Sequence, residues 1–291
     1  MYQNKIERIS CAEYAKLIGK FKFRNVFVSP DYISSLEKIK NIEIYSIVGK
    51  NGPIALFPAN VIKRGFFKIF LNPPFTPYFN ILFNNPPEGE REKFRFYESA
   101  VGDYIRFLKS RFSYFSASQS PEFDDSRHYA WSGAKVSLKY TYILEYGDKT
   151  LDSVDRMIRN KELKKYTENC DFEANYNMLK NAYNNNPPAS KKEYKVFMES
   201  LKKNDMLKCF SNDSASVVFL LDKENKTAYT YNICGKDTAL LIYSVLKSGA
   251  LGEYAIDFHG ANTKRISMYK SMFNPKIKSY FNISGFYDFI H

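Results

Sequence analysis

The segment from residue 237 onward constrains the fold of this chain more than any other part. Residues 239–246 are almost entirely apolar, which is typical of a buried helix. A glycine-containing turn then leads into residues 253–260, Glu-Tyr-Ala-Ile-Asp-Phe-His-Gly, where a short β-prone run ends in polar groups. The pattern predicts, in order, a helix over residues 237–247, a strand over 253–258, a helix over 263–272 and a strand over 277–283.

Alternating β-prone runs and one long amphipathic pattern organise the first half of the chain. Residues 42–48 and 53–58 are joined by Gly-Lys-Asn-Gly, a cluster that favours a hairpin turn. The proline-rich loop over residues 72–78 cannot lie inside a sheet, because proline donates no backbone hydrogen bond. The elements predicted here are strands over 42–48, 53–58 and 61–70, the last bent around Gly65, a helix over 88–109 and a strand over 111–118.

The second half repeats this order of elements. Ser190, with Glu193 three residues later, forms a capping-box pattern that predicts the start of a helix. The Asn-Asn-Asn-Pro-Pro run over residues 184–188 predicts an exposed loop. The other predicted elements are a strand over 139–146, a helix after residue 150 that buries Leu151, Val154 and Ile158, and a hairpin of strands over 216–221 and 227–234.

Both halves show hairpin, helix and strand in the same order, so we expect two α/β units that arose by duplication, over residues 1–135 and 136–291. Each unit is expected to hold a mixed, largely antiparallel sheet flanked by helices, which is an α/β or α+β fold. The 291 residues, 44% of them hydrophobic, suffice for a large core that takes most of the 23 tyrosines and 25 phenylalanines. Every apolar run is shorter than the roughly 20 residues of a membrane-spanning helix, so we expect a cytoplasmic protein without a transmembrane segment.

A formal net charge of +12 predicts an anionic partner, because clustered cations attract phosphate-bearing ligands. Transfer RNA, coenzyme A, a nucleotide-linked precursor and an anionic membrane surface are the candidates. Alternatively, the charge reflects an AT-rich genome, since the codons of the abundant Lys, Asn, Tyr, Phe and Ile share A and T. A DNA-binding role has less support, because no isolated basic recognition helix stands out.

The cysteines and histidines exclude several kinds of site. Four widely spaced cysteines without a Cys-x-x-Cys pair predict free, buried thiols in a reducing compartment. Three scattered histidines are too few for a conventional metal site, so no metal is expected. The chain also lacks the Gly-x-Ser-x-Gly, His-Glu-x-x-His, Walker-type and Gly-x-Gly-x-x-Gly motifs of other common enzyme classes. The cysteines are Cys11, Cys170, Cys209 and Cys234.

Several short motifs, taken in order, resemble those of a known family. They are Phe-Val-Ser-Pro-Asp-Tyr over residues 27–32, Thr-Pro-Tyr-Phe over 76–79, Arg-Met-Ile-Arg over 156–159 with Asn160 and Lys161, and the segments over 252–260 and 269–273. The second half resembles the acetyltransferase fold of the GNAT superfamily. The whole chain resembles the FemABX peptidoglycan aminoacyltransferases and the FemAB-like, or BioF2-like, acyltransferases, which implies a fold of tandem GNAT-like units.

The resemblance implies direct transfer of an acyl or aminoacyl group to an amine, without a covalent enzyme intermediate. Such a transfer needs a neutral amine, a donor carbonyl within attack distance and a group that faces the developing oxyanion. Lys270 matches the helical lysine of these enzymes and is expected to contact the oxyanion or a phosphate. Asp257 and His259 lie two residues apart on a predicted strand and would share one face, so Asp257 is a candidate base. The alternatives are a surface lysine, and an aspartate that caps a turn beside a histidine at a loop rim.

The resemblance also implies the donor, acyl-CoA or a charged tRNA, with no tightly bound cofactor. In GNAT enzymes a glycine-rich turn before the central helix holds the coenzyme A pyrophosphate. Here the corresponding turn over residues 232–237 keeps only Gly235, so Gly235 and Lys236 are the candidates for phosphate contact. The residues expected at the substrate are Tyr78, Arg156, Arg159 and His259.

Two hypotheses from different classes remain open on sequence alone. In the first, the protein is an acyl- or aminoacyltransferase whose acceptor is an amine-bearing small molecule or a cell-envelope precursor, bound in a cleft between the units. In the second, it is a catalytically silent acyltransferase-like module that binds tRNA, another nucleic acid or a protein through a basic face. Peripheral contact with a membrane is compatible with either. A cleft lined by Tyr78, Asp257 and Lys270 would favour the transferase. A cleft filled with aliphatic side chains would favour the catalytically silent binding module.

Overall fold

A computed structural model describes residues 4–22, 24–79, 81–123, 125–145 and 151–286. These residues divide into two compact units. Unit 1 comprises the described residues up to Leu138 together with those from Tyr280 onward, and unit 2 comprises Lys139–Ser279. The boundary expected between residues 135 and 136, and the origin of the units by duplication, remain predictions.

Unit 1 begins with a strand and two capped helices. Strand β1 (Lys5–Ile9) leads into α1 (Cys11–Leu17), where Ser10 and Glu13 form a capping box. Helix α2 (Pro30–Glu37) starts with a proline after the capping residue Ser29. The further elements of unit 1 are β2 (Phe21–Lys22), β3 (Ile42–Gly49), β4 (Gly52–Arg64), β5 (Phe67–Leu71), β6 (Leu82–Asn84), α3 (Glu90–Arg111), β7 (Tyr114–Ser118), α4 (Arg127–Trp131) and the end of β14 (Lys276–Phe286).

The strands of unit 1 form a mainly antiparallel sheet covered by α3. They pair in the order β1, β3, β4, β5, β7, β14, with β6 beside β4 and β2, and only β5 and β7 run parallel. Tyr104 of α3 packs edge to face on Phe57 of β4, with ring centroids 4.7 Å apart. The predicted core role of the aromatic residues is confirmed, because the largest fully buried side chains described are all Tyr or Phe.

The strands of unit 2 include one parallel pair. They pair in the order β8, β13, β12, β11, β10, β9, all antiparallel except β12 with β13. A parallel pair needs a crossover connection, which α8 supplies. The elements are β8 (Lys135–Leu144) from Lys139 onward, α5 (Arg156–Arg159), β9 (Thr167–Glu168), α6 (Phe172–Ala182), α7 (Lys191–Lys203), β10 (Leu207–Ser211), β11 (Ala215–Asp222), β12 (Thr227–Gly235), α8 (Thr238–Lys247), β13 (Ala255–Asp257), α9 (Lys264–Ser271) and the start of β14.

Helix α8 is the centre of the unit 2 core, because its sequence is apolar on nearly every side. Leu241 and Val245 are fully buried in one cluster with Val217 and Phe219 of β11. The helices predicted over residues 88–109, 237–247 and 263–272, and the helix predicted from Ser190, are confirmed as α3, α8, α9 and α7. Within the described ranges, no helix is both long enough and apolar enough to cross a membrane.

The strand expected over residues 61–70 is wrong, because this segment forms a hairpin. Gly65 adopts a φ of +58°, which places glycine at the first central position of a two-residue turn. The chain therefore reverses between β4 and β5, and Arg64 pairs with Phe67. Gly65, which we expected to bend a single strand, instead lies in the turn between two strands.

The helix expected after residue 150 also differs from the structure. Asp155 starts a separate short helix, α5, by accepting a hydrogen bond from the backbone N–H of Met157 at 2.7 Å. Val154 and Ile158 are buried as predicted, on either side of this cap, whereas Leu151 is only half-buried. Strand β8 begins at Lys135, earlier than predicted, and its predicted end at residue 146 lies outside the described residues.

The expectation of four free cysteines is wrong for one pair, because Cys170 and Cys209 form a disulfide. Strand β9 pairs with β10, which places Cys170, just after β9, beside Cys209 with their Cα atoms 5.1 Å apart. Spacing along the sequence could not reveal this pairing of distant segments. Cys11 and Cys234 are free thiols, and Cys234 is buried.

We expect the double replacement of Cys170 and Cys209 by serine to lower the free energy of unfolding by about 2–4 kcal/mol. The crosslink closes a loop with a sequence separation of 39 and so restricts the unfolded chain. Urea denaturation of oxidised wild type and of the double variant measures the difference. Dithiothreitol should destabilise the wild type and leave the double variant unchanged, and a wild type insensitive to reductant would contradict the prediction.

Candidate functional site

Three of the predicted site residues meet at one turn of unit 2. Strand β13 ends at Asp257, His259 and Gly260 form the turn that follows, and Lys270 lies in the last turn of α9. The backbone N–H of Phe258 donates to the carbonyl of Tyr142 in β8 at 2.9 Å, which fixes where the chain leaves the sheet. The sheet and α9 therefore hold this turn, the β13–α9 turn, from both sides.

The Asp257 carboxylate is buried and caps the β13–α9 turn. Its Oδ1 accepts hydrogen bonds from the Thr141 hydroxyl at 2.5 Å and from the backbone N–H of His259 at 2.7 Å. These bonds compensate for the cost of burying the group, which is 2% exposed. The capping alternative is confirmed, whereas the shared strand face of Asp257 and His259 is wrong, because β13 ends at Asp257 and His259 has a left-handed φ of +52°.

Lys270 ties α9 to the same turn. Its ammonium group donates to the backbone carbonyls of His259 and Gly260, the latter at 2.8 Å. The residue is only 9% exposed, so the alternative of a solvent-facing lysine is wrong. Burial lowers the pKa of Lys270 to about 8, and the negative charge of Asp257 partly opposes this shift. The ammonium is therefore partly deprotonated at mildly alkaline pH.

His259 is neutral in this environment. Its ring lies beside those of Tyr229 and Tyr231 in β12, with centroid distances of 5.2 and 6.4 Å. Burial, followed by the positive charge of Lys270, lowers the pKa of the imidazole to about 3. A group with this pKa is a weak base, so near neutral pH His259 interacts through an uncharged ring.

A surface pocket of about 480 Å³ lies at the N-terminus of α8 and is called the α8 pocket below. Asp237 precedes the helix with a φ of +54°, and its side chain caps none of the first backbone N–H groups. These donors are left for solvent or a ligand. The backbone N–H of Lys164 donates to the Ser244 hydroxyl at 3.2 Å and so holds a lysine-rich segment against α8. The pocket is lined by Lys161, Glu162, Leu163, Lys164, Lys165, Asp237 and Leu240.

Gly235 and Lys236, the predicted phosphate contacts, lie just before this helix. A Cβ atom on Gly235 would lie 2.2 Å from the carbonyl oxygen of Ser214, and the φ of Gly235 is +98°, so backbone packing requires glycine here. The backbone N–H of Lys236 donates to the same Ser214 carbonyl at 2.8 Å. The next residues, Asp237 and Leu240, form the pocket wall. Contact of Gly235 and Lys236 with a phosphate remains a prediction.

Arg156 and Arg159 lie on α5, directly before the lysine-rich segment. The backbone N–H of Asp155 donates to the carbonyl of Met272 at 2.8 Å, which anchors α5 beside the end of α9. Arg156 is exposed and Arg159 is half-buried. The buried Nε of Arg159 has no hydrogen-bond partner in the described part of the chain. An unsatisfied guanidinium donor therefore lies two residues before Lys161.

A hydrogen bond links the start of α8, beside the α8 pocket, to α9, beside Lys270. The hydroxyl groups of Thr238, the first residue of α8, and Tyr269, the neighbour of Lys270, lie 2.8 Å apart. Sequence reasoning missed this pair, and it missed Lys164 and Lys165 as pocket residues. A run of three lysines within residues 161–165 was a usable signal for a basic site, but nothing in the sequence placed that run beside α8.

Tyr78 lies in the core of unit 1. Its ring packs edge to face on Phe27 and Tyr280, with centroid distances of 5.9 and 5.1 Å. The hydroxyl groups of Tyr32 and Thr76 lie 2.8 Å apart, so the motifs over residues 27–32 and 76–79 pack together. Contact of Tyr78 with a substrate remains a prediction.

Unit 1 has a larger pocket, of about 780 Å³, between the start of α3 and the loop before α4. Its charged groups are largely paired with each other. Arg127 contacts Asp125 at 2.9 Å, and Lys93 contacts Glu90 at 3.8 Å. This pairing leaves less free positive charge than in the α8 pocket, where the structure gives the lysines no salt bridge to a described residue.

No protein-family model matches the sequence, and no curated protein matches it. Solved structures match the fold over nearly the whole chain. FemX is 8% identical with a TM-score of 0.62, covering 95% of this chain and 96% of FemX. A tandem GNAT protein from the clavulanic acid biosynthesis pathway is 9% identical with a TM-score of 0.56, covering 98% of each chain. A conserved protein of unknown function from Bacteroides thetaiotaomicron is 11% identical with a TM-score of 0.54, covering 97% of this chain and 99% of its own.

Likeness at such low identity establishes the fold and leaves the reaction open. This chain's own sheet is mixed and largely antiparallel, with helices flanking it. The chain therefore shares its fold with FemX and with the tandem GNAT protein, as the sequence resemblance predicted.

Proposed function

We propose that this protein is an acyltransferase that moves an acyl or aminoacyl group from a phosphate-bearing donor, acyl-CoA or a charged tRNA, to an amine. The observation that carries the proposal is the α8 pocket, where three lysines and the uncapped start of a buried central helix meet. Backbone N–H groups and the dipole at a helix N-terminus favour anions. The fold supports the same conclusion, because it is the fold of GNAT proteins.

The charges of the α8 pocket favour a phosphate. Lys161, Lys164 and Lys165 supply three positive charges against the two carboxylates of Glu162 and Asp237. All three lysines are exposed and thus able to reach a ligand in the pocket. Arg159 precedes this segment by two residues and carries a further positive charge, but it does not line the pocket. Such a group of cations binds phosphate groups, which both a pyrophosphate and the backbone of a tRNA supply.

The contact between Thr238 and Tyr269 supports placing the reacting end of the donor near the β13–α9 turn, because it holds the start of α8 within 2.8 Å of the residue before Lys270. In the proposed step the neutral amine attacks the donor carbonyl, a C–N bond forms, the C–S or C–O bond to the donor breaks, and the amine proton passes to the leaving group or to solvent. Lys270 is proposed to hold the β13–α9 turn in position, and its own contact with the oxyanion or with a phosphate remains a prediction. The roles of Asp257 as base and His259 as substrate contact remain predictions.

An acyl-transfer assay tests this function. The protein is incubated with a panel of acyl-CoA thioesters or charged tRNAs and a mixture of amines that includes amino sugars, peptides and lysine-containing cell-envelope precursors. Mass spectrometry then detects the N-acylated product. We expect a product that depends on both the donor and the enzyme. Saturable donor binding without any product, across the whole panel, would instead support the catalytically silent binding module.

A further inference from the structure

The hairpin between β4 and β5 carries an exposed aromatic tip, and we call residues 63–68 the hairpin tip. Phe66 is fully exposed and Phe67 is 56% exposed, which is unusual for two neighbouring large apolar side chains. Gly65, with its φ of +58°, makes the turn tight enough to present both phenylalanines at its end. The tip contributes no apolar group to the core of unit 1, so its aromatic residues need another explanation.

Cations flank these phenylalanines. Lys63, Arg64 and Lys68 are all exposed, and none of them forms a salt bridge with any residue in the described ranges. Register places Arg64 across from Phe67 on one face of the hairpin and Lys63 across from Lys68 on the other. Both faces of the tip are therefore positively charged around an apolar end.

The sequence around the tip contains no acidic residue. Between Glu43 and Glu88 the chain has four cations and not one aspartate or glutamate. This segment holds β4, β5, β6 and most of β3, and its cations lack the carboxylates with which surface cations are usually interspersed. The positive charge of the tip is therefore not neutralised locally along the chain.

The aromatic surface continues onto the neighbouring strands. Ile69 of β5 pairs with Tyr114 of β7, and Tyr114 pairs with Phe286 of β14, so these side chains lie in a row on the same face as Phe67. The rings of Tyr114 and Phe286 lie 5.0 Å apart, and Phe286 is 70% exposed. The apolar end of the hairpin thus continues as a row of apolar and aromatic side chains across one face of β5, β7 and β14.

We propose that the hairpin tip docks this protein onto an anionic lipid bilayer, with Phe66 and Phe67 inserted among the acyl chains and the three cations against the headgroups. Aromatic side chains beside Lys and Arg are the combination that binds the interface of an anionic membrane. Charge complementarity selects the lipid surface as the partner. A second copy of this chain would bring its own unneutralised cations against the first, which opposes self-association through this surface.

Vesicle cosedimentation tests the docking. We expect the full chain to pellet with vesicles that contain phosphatidylglycerol and to remain in solution with pure phosphatidylcholine. Each headgroup-contacting cation contributes about fivefold to binding, so replacing Lys63, Arg64 and Lys68 by glutamine should weaken it about 10²-fold. The variant with Phe66 and Phe67 replaced by serine should lose about tenfold or more, because it removes the apolar anchor.

A charge-matched control separates the tip from the overall charge. Glutamine in place of Lys192, Lys195 and Lys203, which are exposed on α7, lowers the net charge by the same amount and should leave vesicle binding nearly unchanged. All of these side chains are exposed, so the variants should fold like the wild type, which circular dichroism checks. Equal loss in the control, or no loss in either tip variant, would overturn the proposal.

A single-tryptophan probe reports insertion directly. The chain has one tryptophan, Trp131, so combining W131F with F66W moves the only indole to the tip. On addition of phosphatidylglycerol vesicles we expect a blue shift of its emission and quenching by brominated acyl chains. An emission spectrum that does not change with vesicles would overturn the proposal. Concentration-dependent dimers that the double serine variant abolishes, without vesicle binding, would overturn it in favour of a self-association surface.

Discussion

A variant in which Lys161, Lys164 and Lys165 are replaced by glutamate is expected to bind its phosphate-bearing donor about 10³-fold more weakly than the wild type. Each lysine can contribute a charge-assisted hydrogen bond to a phosphate, and about 1.4 kcal/mol from each of three gives this factor even after allowance for solvent exposure. Reversing the charge of these side chains also makes them repel the phosphate beside the N-terminus of α8. Isothermal titration of both proteins with the donor identified by the transfer assay measures the change.

The charge-matched control for this experiment is glutamate at Lys192, Lys195 and Lys203 on α7. These side chains are exposed like those of the α8 pocket, but they line no part of it. The control should bind the donor within about threefold of the wild type at 0.15 M salt, where distant surface charges are screened. Unchanged affinity in the pocket variant, or equal loss in the control, would show that the donor binds elsewhere.

The Lys270→Met variant is expected to lower turnover by about 10²- to 10³-fold, a loss like that of a single oxyanion donor. Methionine keeps the length of the side chain but leaves the carbonyls of His259 and Gly260 without their donor. We therefore expect the β13–α9 turn to shift, with the larger effect on kcat. Steady-state kinetics measures this loss, and Lys264→Met, on an exposed position of the same helix, is the control.

A Lys270→Gln variant distinguishes positioning from charge. Glutamine can still donate to a carbonyl of the turn but carries no charge. If Lys270 positions the turn, glutamine should restore a substantial part of the turnover that methionine loses. If the ammonium contacts the oxyanion or a phosphate itself, the two variants should be equally impaired. Turnover of the methionine variant within about threefold of the wild type would remove Lys270 from the mechanism altogether.

The stability of the wild type relative to Lys270→Met should increase as the pH rises. Because the pKa of Lys270 falls from 10.5 to about 8 on folding, the unfolded chain binds more protons than the folded chain between these values. The free energy of unfolding of the wild type should therefore rise with pH across this window, relative to Lys270→Met, by up to about 3 kcal/mol. Urea denaturation at pH 7.5, 9 and 10.5 measures the difference. A constant difference would contradict the buried environment of this ammonium.

Strong local patterns made several elements predictable from sequence. The apolar run of α8 and the capping box at Ser190 gave helices in the right places, because burial and capping act within a few residues. The spacing of Phe172, Tyr176 and Leu179 was a comparable signal for α6, a helix absent from our predictions. For such elements, local pattern and final structure agree.

Other features depended on contacts between distant residues, and the sequence could not supply them. The disulfide requires the pairing of β9 with β10, and the burial of Lys270 requires two backbone carbonyls from a turn eleven and ten residues earlier. A lysine with that sequence context is normally exposed. In the same way, the α8 pocket exists only because the segment over residues 161–165 lies against α8.

A thermal-shift titration tests the central claim, a phosphate-bearing donor in the α8 pocket, most directly. The wild type is heated with increasing acyl-CoA thioesters and, separately, with non-hydrolysable aminoacyl-tRNA. We predict saturable stabilisation by at least one donor class, approaching about 2.7 kcal/mol at 100 times the dissociation constant, and its loss in the variant with glutamate at Lys161, Lys164 and Lys165. No shift with any donor of either class, or an equal shift in that variant, would contradict the claim.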